Sequence, residues 1–176
     1  MLVVVERTYR VVESPIGALT LVWENGPDGG APDGGALCGL GVHDQRERPD
    51  DAASGEPDAG ACPRLDDVAA QLEEYFAGRR TTFDVPLATG GTPFQEAVWT
   101  ALRAVRHGAT TSYGELARVI GRPGAAQAVG GANARNPISI LVPCHRVVTA
   151  SGAPSGGGPG IRRKLWLQGM ERGERP

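Results

Sequence analysis

Apolar and polar residues alternate near the start of the chain in a pattern typical of a small sheet. Residues 7–23 (RTYRVVESPIGALTLVW) contain two strand-length segments on either side of a turn at residues 14–17. A third candidate strand spans residues 36–43 (ALCGLGVH). These segments predict the strands of an N-terminal α/β domain.

A helix is predicted over residues 65–77, where apolar side chains recur at the spacing of one buried helix face. That face comprises Leu65, Val68, Ala69, Leu72 and Phe76. Gly78 is a suitable helix stop. Residues 44–63 are acidic, rich in Pro and Gly and poor in large apolar side chains, so we expect a mobile loop there. The N-terminal domain is therefore expected over residues 1–88.

The second half of the chain has mainly helical periodicity. Thr92 and Pro93 are typical of the first residues of a helix. The apolar face of that helix comprises Phe94, Val98, Trp99 and Leu102. Ser112 can cap a second helix over residues 113–120, and a third is predicted over about residues 125–134. Because the tight turn GRPG joins these two short helices, they have the proportions of a helix-turn-helix.

An apolar run at residues 138–142 predicts a buried strand that leads directly into PCHR at residues 143–146. A last helix is predicted over residues 161–170, after a Gly-rich loop. The fold class is therefore expected to be α+β. A small N-terminal α/β domain precedes a mainly helical C-terminal domain over residues 92–176, which carries the helix-turn-helix and Cys144.

The charge of the chain is unevenly distributed. Residues 1–91 hold 7 Lys and Arg against 16 Asp and Glu, whereas residues 92–176 hold 11 against 4. The net charges are therefore 7 − 16 = −9 and 11 − 4 = +7. A basic half joined to an acidic half indicates that only the basic half faces a polyanion, such as nucleic acid.

The sequence argues against a membrane protein and against a disulfide-stabilised one. No stretch approaches the roughly 20 apolar residues of a membrane span, and a charge closely follows the apolar run at residues 2–5, unlike in a signal peptide. We therefore expect a cytoplasmic protein without membrane contact. The three cysteines, Cys38, Cys62 and Cys144, are an odd number, which argues against a disulfide framework. They form no CxxC pair, which argues against a zinc ribbon.

Cys144 is the main candidate for chemistry. A thiol is a strong nucleophile only as the thiolate, and the neighbouring His145 and Arg146 favour the anion. Adjacent side chains of an extended strand point to opposite faces, so a bridging water or a bend is needed for His145 to accept the thiol proton. From the residues alone, a buried structural cysteine is an equally good interpretation.

Residues 136–148 (NPISILVPCHRVV) resemble the active-site signature of the O6-alkylguanine-DNA alkyltransferases. Further similar segments follow the order and spacing of that family. They are SPIG at 14–17, TPFQ at 92–95, VW at 98–99, SY at 112–113, LA at 116–117, AVGGA at 128–132, KLWL at 164–167 and Glu171. The resemblance covers nearly all of residues 92–171 and, more loosely, the N-terminal domain.

The resemblance implies a suicide DNA-repair protein that acts once per molecule. Cys144 is then the acceptor of an alkyl group from O6-alkylguanine in DNA, and also from O4-alkylthymine. His145 is expected to activate Cys144 through a water molecule, and Glu171 to orient His145. The product is a stable thioether, and no cofactor is expected.

The resemblance also assigns residues to the binding of substrate and DNA. Tyr113 is expected to donate toward the base, Asn136 to brace the turn before the active-site strand, and Gly130 and Gly131 to let the recognition helix approach the minor groove. The set is completed by Gln127, Arg146, Val147 and Val148, of which the two valines are expected to form pocket wall. Double-stranded DNA is the expected partner of a monomer, with the damaged nucleotide flipped out of the duplex.

Two positions depart from the family pattern. Gln127 stands where the family usually has an Arg that fills the stack after base flipping. Gly157 stands where an aromatic side chain usually contacts the base. Together the two changes predict a wider and softer pocket. Cys38, Cys62 and His43 do not match the zinc ligands of some family members, so no metal is expected.

Two other functions remain open on the sequence. The first is Cys144-dependent group transfer from a small molecule on the same scaffold, which Gln127 and Gly157 suggest. The second is binding of alkylated DNA without catalysis. Relatives of that second kind lack the cysteine, so Cys144 argues against it.

Overall fold

The computed structural model describes residues 6–26, 34–42, 55–60, 62–156 and 158–174. The chain divides into two compact units, Met1–Thr89 and Gly90–Pro176. His43, Gly157 and much of the loop predicted at residues 44–63 lie outside the described residues.

The first unit is built on a four-stranded sheet. Its strands are β1 (Arg7–Val12), β2 (Leu19–Asn25), β3 (Gly35–Val42) and β4 (Glu56–Pro57), in the order β3-β2-β1-β4. β2 pairs antiparallel with β1 and with β3, and the short β4 runs parallel to β1. The turn between β1 and β2 is closed by the Gly17 N–H, which donates to Ser14 O at 3.1 Å. The predicted strands are therefore present, the third as far as Val42.

Helix α1 (Pro63–Phe76) follows the sheet. Its buried residues are Leu65, Val68, Leu72 and Tyr75. The prediction placed Phe76 on this face, but Tyr75 is buried there and Phe76 is half-buried at its edge, because spacings of three, four and three residues lead from Leu65 to Tyr75. The helix ends as predicted, with Gly78 at φ 70° donating its N–H to Tyr75 O at 2.9 Å.

The second unit is mainly helical. Its helices are α2 (Pro93–Arg103), α3 (Tyr113–Val119), α4 (Ala126–Ala134) and α5 (Gly158–Glu171). Strands β5 (Thr111–Ser112) and β6 (Val147–Val148) form a short parallel pair, and a 3₁₀ turn, Cys144–Arg146, lies directly before β6. Helix α5 extends beyond the predicted span at both ends. Within the described part of the chain, no helix is long and apolar enough to cross a membrane.

Reciprocal capping boxes define the starts of α2 and α3. The Gln95 N–H donates to Thr92 Oγ1 at 3.3 Å, and the Thr92 N–H donates to Gln95 Oε1 at 2.9 Å. Ser112 and Glu115 form the same pair of bonds at 3.2 and 2.8 Å. Both predicted N-caps are therefore confirmed, and the second one sets the position of Tyr113 at the first turn of α3.

The buried strand predicted at residues 138–142 is wrong, because these residues form a tight turn. The Val142 N–H donates to Ile138 O at 3.0 Å, and Ile140 has φ 73°, a strained value for a β-branched residue. Asn136 braces the turn by accepting from the Ile138 N–H at 3.0 Å and donating through Nδ2 to Val142 O at 2.7 Å. An apolar run does not reveal such a turn, because the bracing side chain lies outside the run.

The capping box at the start of α2 has a measurable contribution to stability. We expect Thr92→Ala to lower the free energy of unfolding of the second unit by about 1 kcal/mol, because the Gln95 N–H loses its acceptor. Thr100→Ala in the same helix is the matched control, since Thr100 is exposed and away from the cap. Urea titration of both variants tests this, and an equal or larger loss in Thr100→Ala contradicts it.

Candidate active site

Cys144 is the first residue of the 3₁₀ turn and is half-buried. Its N–H donates to Val142 O at 2.8 Å, which joins it to the turn braced by Asn136. Because the backbone is helical here, the expected alternation of Cys144 and His145 across an extended strand does not apply. The bend that the sequence argument required is therefore present.

Glu171 connects α5 to the residues that follow Cys144. His145 Nε2 lies 2.8 Å from Glu171 Oε1, and both side chains are almost fully buried. Arg146 donates through Nη2 to Oε1 and through Nε to Oε2, both at 2.9 Å. The Gly108 N–H also donates to Oε2, at 3.1 Å. One carboxylate thus accepts four hydrogen bonds in the interior of the second unit.

The position of Arg146 differs from the expected contact with substrate or DNA. The side chain is buried, and besides its two bonds to Glu171 it donates through Nη1 to Val105 O at 2.6 Å. A guanidinium held in this way offers little to a DNA phosphate. Its charge instead stabilises the carboxylate that holds His145.

The imidazole of His145 is held as a neutral base. Burial lowers the pKa of His145 below its ordinary value, and the hydrogen bond with Glu171 opposes this. Because a carboxylate only accepts, the neutral ring carries its proton on Nε2 and leaves Nδ1 as an acceptor. Nδ1 is buried and has no hydrogen-bond partner within the described residues. The ring can therefore accept one proton from a nearby group.

Two opposing influences act on the Cys144 thiol. Burial raises the pKa of Cys144, which favours the protonated thiol. Hydrogen bonds with the side chains of Asn136 and Ser139, together with the charge of Lys164, favour the thiolate. Burial is the largest of these effects, so a base is needed to remove the proton near neutral pH.

Lys164 is a site residue that the sequence analysis noted only as part of a matching segment. Its side chain is buried on α5, and Nζ donates to Ser155 Oγ at 3.2 Å and to Ser155 O at 3.5 Å. Ser155 Oγ also forms a short hydrogen bond with the Tyr113 hydroxyl. The sequence signal that could have identified Lys164 as a site residue is its helical spacing from Glu171, because this spacing places both residues on one face of α5.

The other predicted residues lie on the elements around this centre. Val147 and Val148 are buried in β6. Gly130 lies on α4, where an added Cβ would be 3.9 Å from the Tyr113 ring. Gly131 is close to the side chain of Arg135, the C-cap residue of the same helix. Gln127 is exposed in the first turn of α4.

The described residues contain no group of three His, Cys, Asp or Glu side chains placed to hold a metal ion. Cys38 lies within the sheet of the first unit, where its Sγ is 3.5 Å from Val22 O. Cys62 immediately precedes α1. These two cysteines belong to the first unit and Cys144 to the second.

Both halves of the chain match models of one class of protein. Residues 7–89 match the ribonuclease-like domain of 6-O-methylguanine DNA methyltransferase, and residues 93–173 match the DNA-binding domain. Curated relatives point to the same class. A methylated-DNA–protein-cysteine methyltransferase of Mycobacterium tuberculosis is 47% identical over 168 residues, covering 96% of this chain and 94% of the relative. The corresponding Mycobacterium leprae protein is 45% identical and covers 93% and 91%.

Solved structures agree with these matches. The crystal structure of the M. tuberculosis O6-methylguanine methyltransferase has a TM-score of 0.82 at 45% identity, covering 97% of this chain and 95% of that one. The structure of the M. tuberculosis protein in complex with DNA has a TM-score of 0.79 at 46% identity, covering 96% and 95%. The chain belongs to the methylated-DNA–protein-cysteine methyltransferase family, as the resemblance of residues 136–148 implied.

The neutral state of His145 makes the second unit sensitive to acid. The unfolded chain takes up a proton on this residue near its ordinary pKa of 6.5, whereas the folded protein takes it up only at lower pH. The unfolded state therefore binds more protons in this window, and stability falls as pH decreases. We expect this group to add up to about 1.4 kcal/mol per pH unit to the slope between pH 6.5 and the lower folded-state pKa.

His145→Gln is the control for this prediction, because glutamine does not titrate. Urea titrations at pH 7.5 and 5.5 measure the free energy of unfolding of both proteins, and the variant should lose less on acidification than the wild type. Equal losses in the two proteins would mean that His145 is protonated in the folded state.

Proposed function

We propose that this protein repairs DNA by transferring an alkyl group from O6-alkylguanine, and also from O4-alkylthymine, to Cys144 Sγ. The proposal rests on one observation, the arrangement of the thiol, the imidazole and the carboxylate at the site. A half-buried thiol precedes a neutral, buried imidazole in one 3₁₀ turn, and the second nitrogen of that imidazole is held by Glu171. Family membership supplies the substrate class.

The reaction begins with the removal of the thiol proton. His145 Nδ1 accepts it through one water molecule, and Glu171 stabilises the resulting imidazolium. The thiolate attacks the alkyl carbon that is bonded to O6. The S–C bond forms as the bond between this alkyl carbon and O6 breaks, and the electron pair stays on the base. The base then takes up a proton. Because the thioether is stable and no group in this scheme removes it, each molecule acts once and without a cofactor.

DNA is the partner in this proposal, bound in the minor groove by α3 and α4. The two helices are joined by a short turn, and Arg118, Arg122 and Arg135 are exposed on or beside them. Exposed guanidinium groups suit phosphate contacts, which supply much of the affinity for DNA and make it salt-dependent. A stacked guanine hides O6 from an interior thiol, so the nucleotide is flipped out of the duplex. One acceptor per chain makes a monomer sufficient.

Tyr113, Gly130 and Gly131 lie on the helices that face the DNA in this scheme, and Val147 and Val148 form a wall beside Cys144. Asn136 holds the turn that carries Cys144. The three cysteines are free thiols in the structure, a state that suits the reducing cytoplasm in which we place the protein.

Transfer to Cys144 is tested by intact-protein and peptide mass spectrometry after incubation with duplex DNA that contains O6-methylguanine. We expect one added CH2 mass per molecule, located on Cys144. Cys144→Ser should lose the transfer and keep DNA binding, because a hydroxyl is a much poorer nucleophile of similar size. Cys62→Ser is the matched control and should react like the wild type.

The same experiment distinguishes the other candidate functions. Binding of methylated DNA without a mass change would mean lesion binding only. Modification of Cys144 by a small-molecule alkyl donor, but not by alkylated DNA, would mean group transfer from a small molecule. Either result would overturn the proposed repair function.

Gln127 is the position at which base flipping is tested. We expect Gln127→Arg to increase the transfer rate on duplex DNA much more than on a free O6-alkylguanine base, since only the duplex requires extrusion. The added charge should steepen the salt dependence of DNA binding by up to about one unit of log K per log salt. Gln127→Ala should change little. Single-turnover kinetics on both substrates at two salt concentrations measure these effects.

The opposite result has a specific meaning. If Gln127→Ala is strongly impaired on duplex DNA and Gln127→Arg is neutral, then Gln127 itself fills the vacated stack. The prediction that this position weakens flipping would then be wrong.

A further inference from the structure

A groove in the first unit lies between α1 and the turn that joins β1 to β2. Its volume is about 590 Å³. Its apolar lining includes Leu19 and Leu72, which are buried, and Val12 and Phe76, which are half-buried. A concave apolar surface of this kind is typical of a place where another molecule binds.

Two carboxylates lie at this groove, one from each wall. Glu13 follows β1 and Glu73 lies on α1, and both residues are exposed. Neither forms an ion pair within the described residues, whereas Asp66, a third carboxylate at the groove, pairs with Arg10. The groove therefore combines an apolar floor with two carboxylates that the described chain does not neutralise. It fits an apolar side chain that is flanked by two cations.

The second unit carries a surface of that composition at the end of α3. Val119, the last residue of the helix, is 73% exposed, whereas the other exposed large apolar side chains of the described chain, Val11 and Leu165, are 48% and 46% exposed. Arg118 and Arg122 are exposed on either side of Val119 in the sequence. No carboxylate of the described ranges forms an ion pair with either arginine. We call Arg118, Val119 and Arg122 the α3 corner.

The backbone of the α3 corner is fixed by the cap of the helix. The N–H of Gly121, which has φ 71°, donates to Arg118 O at 3.0 Å, and the Arg122 N–H donates to Ala117 O at 2.8 Å. These two bonds form the Schellman motif that ends many helices. Because the turn is already ordered, presenting its side chains to a partner costs little conformational entropy.

We propose that the groove of one molecule binds the α3 corner of a second copy of this chain. Val119 packs against the apolar floor, and Arg118 and Arg122 lie beside the two carboxylates. The net charges of the two halves of the chain, −9 and +7, favour this contact over one between like halves. The contact is head-to-tail because it joins different surfaces of the two copies, so the oligomer can grow beyond a dimer.

A consequence for DNA binding rests on the proposed function, which assigns the same corner to the DNA surface. Phosphates and the groove carboxylates then compete for the same two guanidinium groups. Duplex DNA therefore separates the copies, and the monomer is the form that binds DNA. The associated form keeps its DNA-binding helices covered until DNA is present.

Self-association is measured by sedimentation velocity of the full chain at concentrations up to about 1 mM, which detects weak contacts. The wild type should exceed the monomer mass. Its association should weaken between about 0.1 and 1 M NaCl, because the screening length falls from about 10 to 3 Å. Glu73→Arg and Val119→Asp should each weaken it at least about tenfold, because each introduces a charge that the facing surface repels.

Matched controls make the same charge changes elsewhere. Asp67→Arg alters an exposed residue of α1 outside the groove, and Leu165→Asp alters an exposed apolar residue of α5. Both should associate like the wild type. Loss of association in Leu165→Asp but not in Val119→Asp would overturn the assignment of the α3 corner.

Mixing the two impaired variants tests the pairing of the surfaces directly. Glu73→Arg keeps an intact α3 corner and Val119→Asp keeps an intact groove, so an equimolar mixture should form a heterodimer that stops at two chains. A mixture that stays monomeric overturns the proposal, as does a wild type that is monomeric throughout the concentration range. Binding of an unrelated basic peptide to the groove of such a monomer would assign the groove to a different protein.

The competition with DNA is tested by adding an unmodified duplex to this heterodimer. We expect the duplex to release the two chains. If the duplex binds while the heterodimer stays intact, the competition is wrong and the docking stands. If the wild type binds no duplex, the proposed function fails, and the mixing experiment alone decides the docking.

Discussion

The rest of the second unit depends on the hydrogen bonds that the buried carboxylate of Glu171 accepts. This carboxylate accepts hydrogen bonds from His145 and Arg146 of the 3₁₀ turn and from the Gly108 N–H, which lies between α2 and β5. Removing one partner of a buried charge pair typically costs about 3–5 kcal/mol, because the other charge stays buried. The same contacts set the tautomer of His145. Stability of the unit and orientation of the general base therefore come from one residue at the end of α5.

Burial gives the site its reactivity by favouring uncharged groups at rest. It raises the pKa of Cys144 and lowers those of His145 and Lys164. A neutral imidazole can accept a proton, and a raised thiol pKa keeps the cysteine protonated until that acceptor is aligned. The asymmetry between the two buried cations is informative. Arg146 is neutralised by Glu171, whereas Lys164 donates to the uncharged Ser155.

The basic half of the chain also divides into two functional sets. Arg118, Arg122 and Arg135 are exposed around α3 and α4, where a phosphate can reach them. Arg146 and Lys164 are buried, and their charges act within the site. The net charge of residues 92–176 therefore overstates the charge offered to DNA. The burial of Arg146 also shows that the motif PCHR does not by itself reveal whether its arginine faces the solvent.

Local signals in the sequence determined much of this protein: the strands of the first unit, the helices with the capping residues Thr92 and Ser112, and the residues of the PCHR motif. These features depend on contacts within a few positions of each other. Tertiary structure decided the rest. The run at residues 138–142 became a turn because Asn136 braces it, and Arg146 turned inward because Glu171 meets it across 25 residues of chain. Lys164 joined the site through its hydrogen bond to Ser155. Periodicity does not encode such long-range hydrogen bonds, because they depend on how separate elements pack.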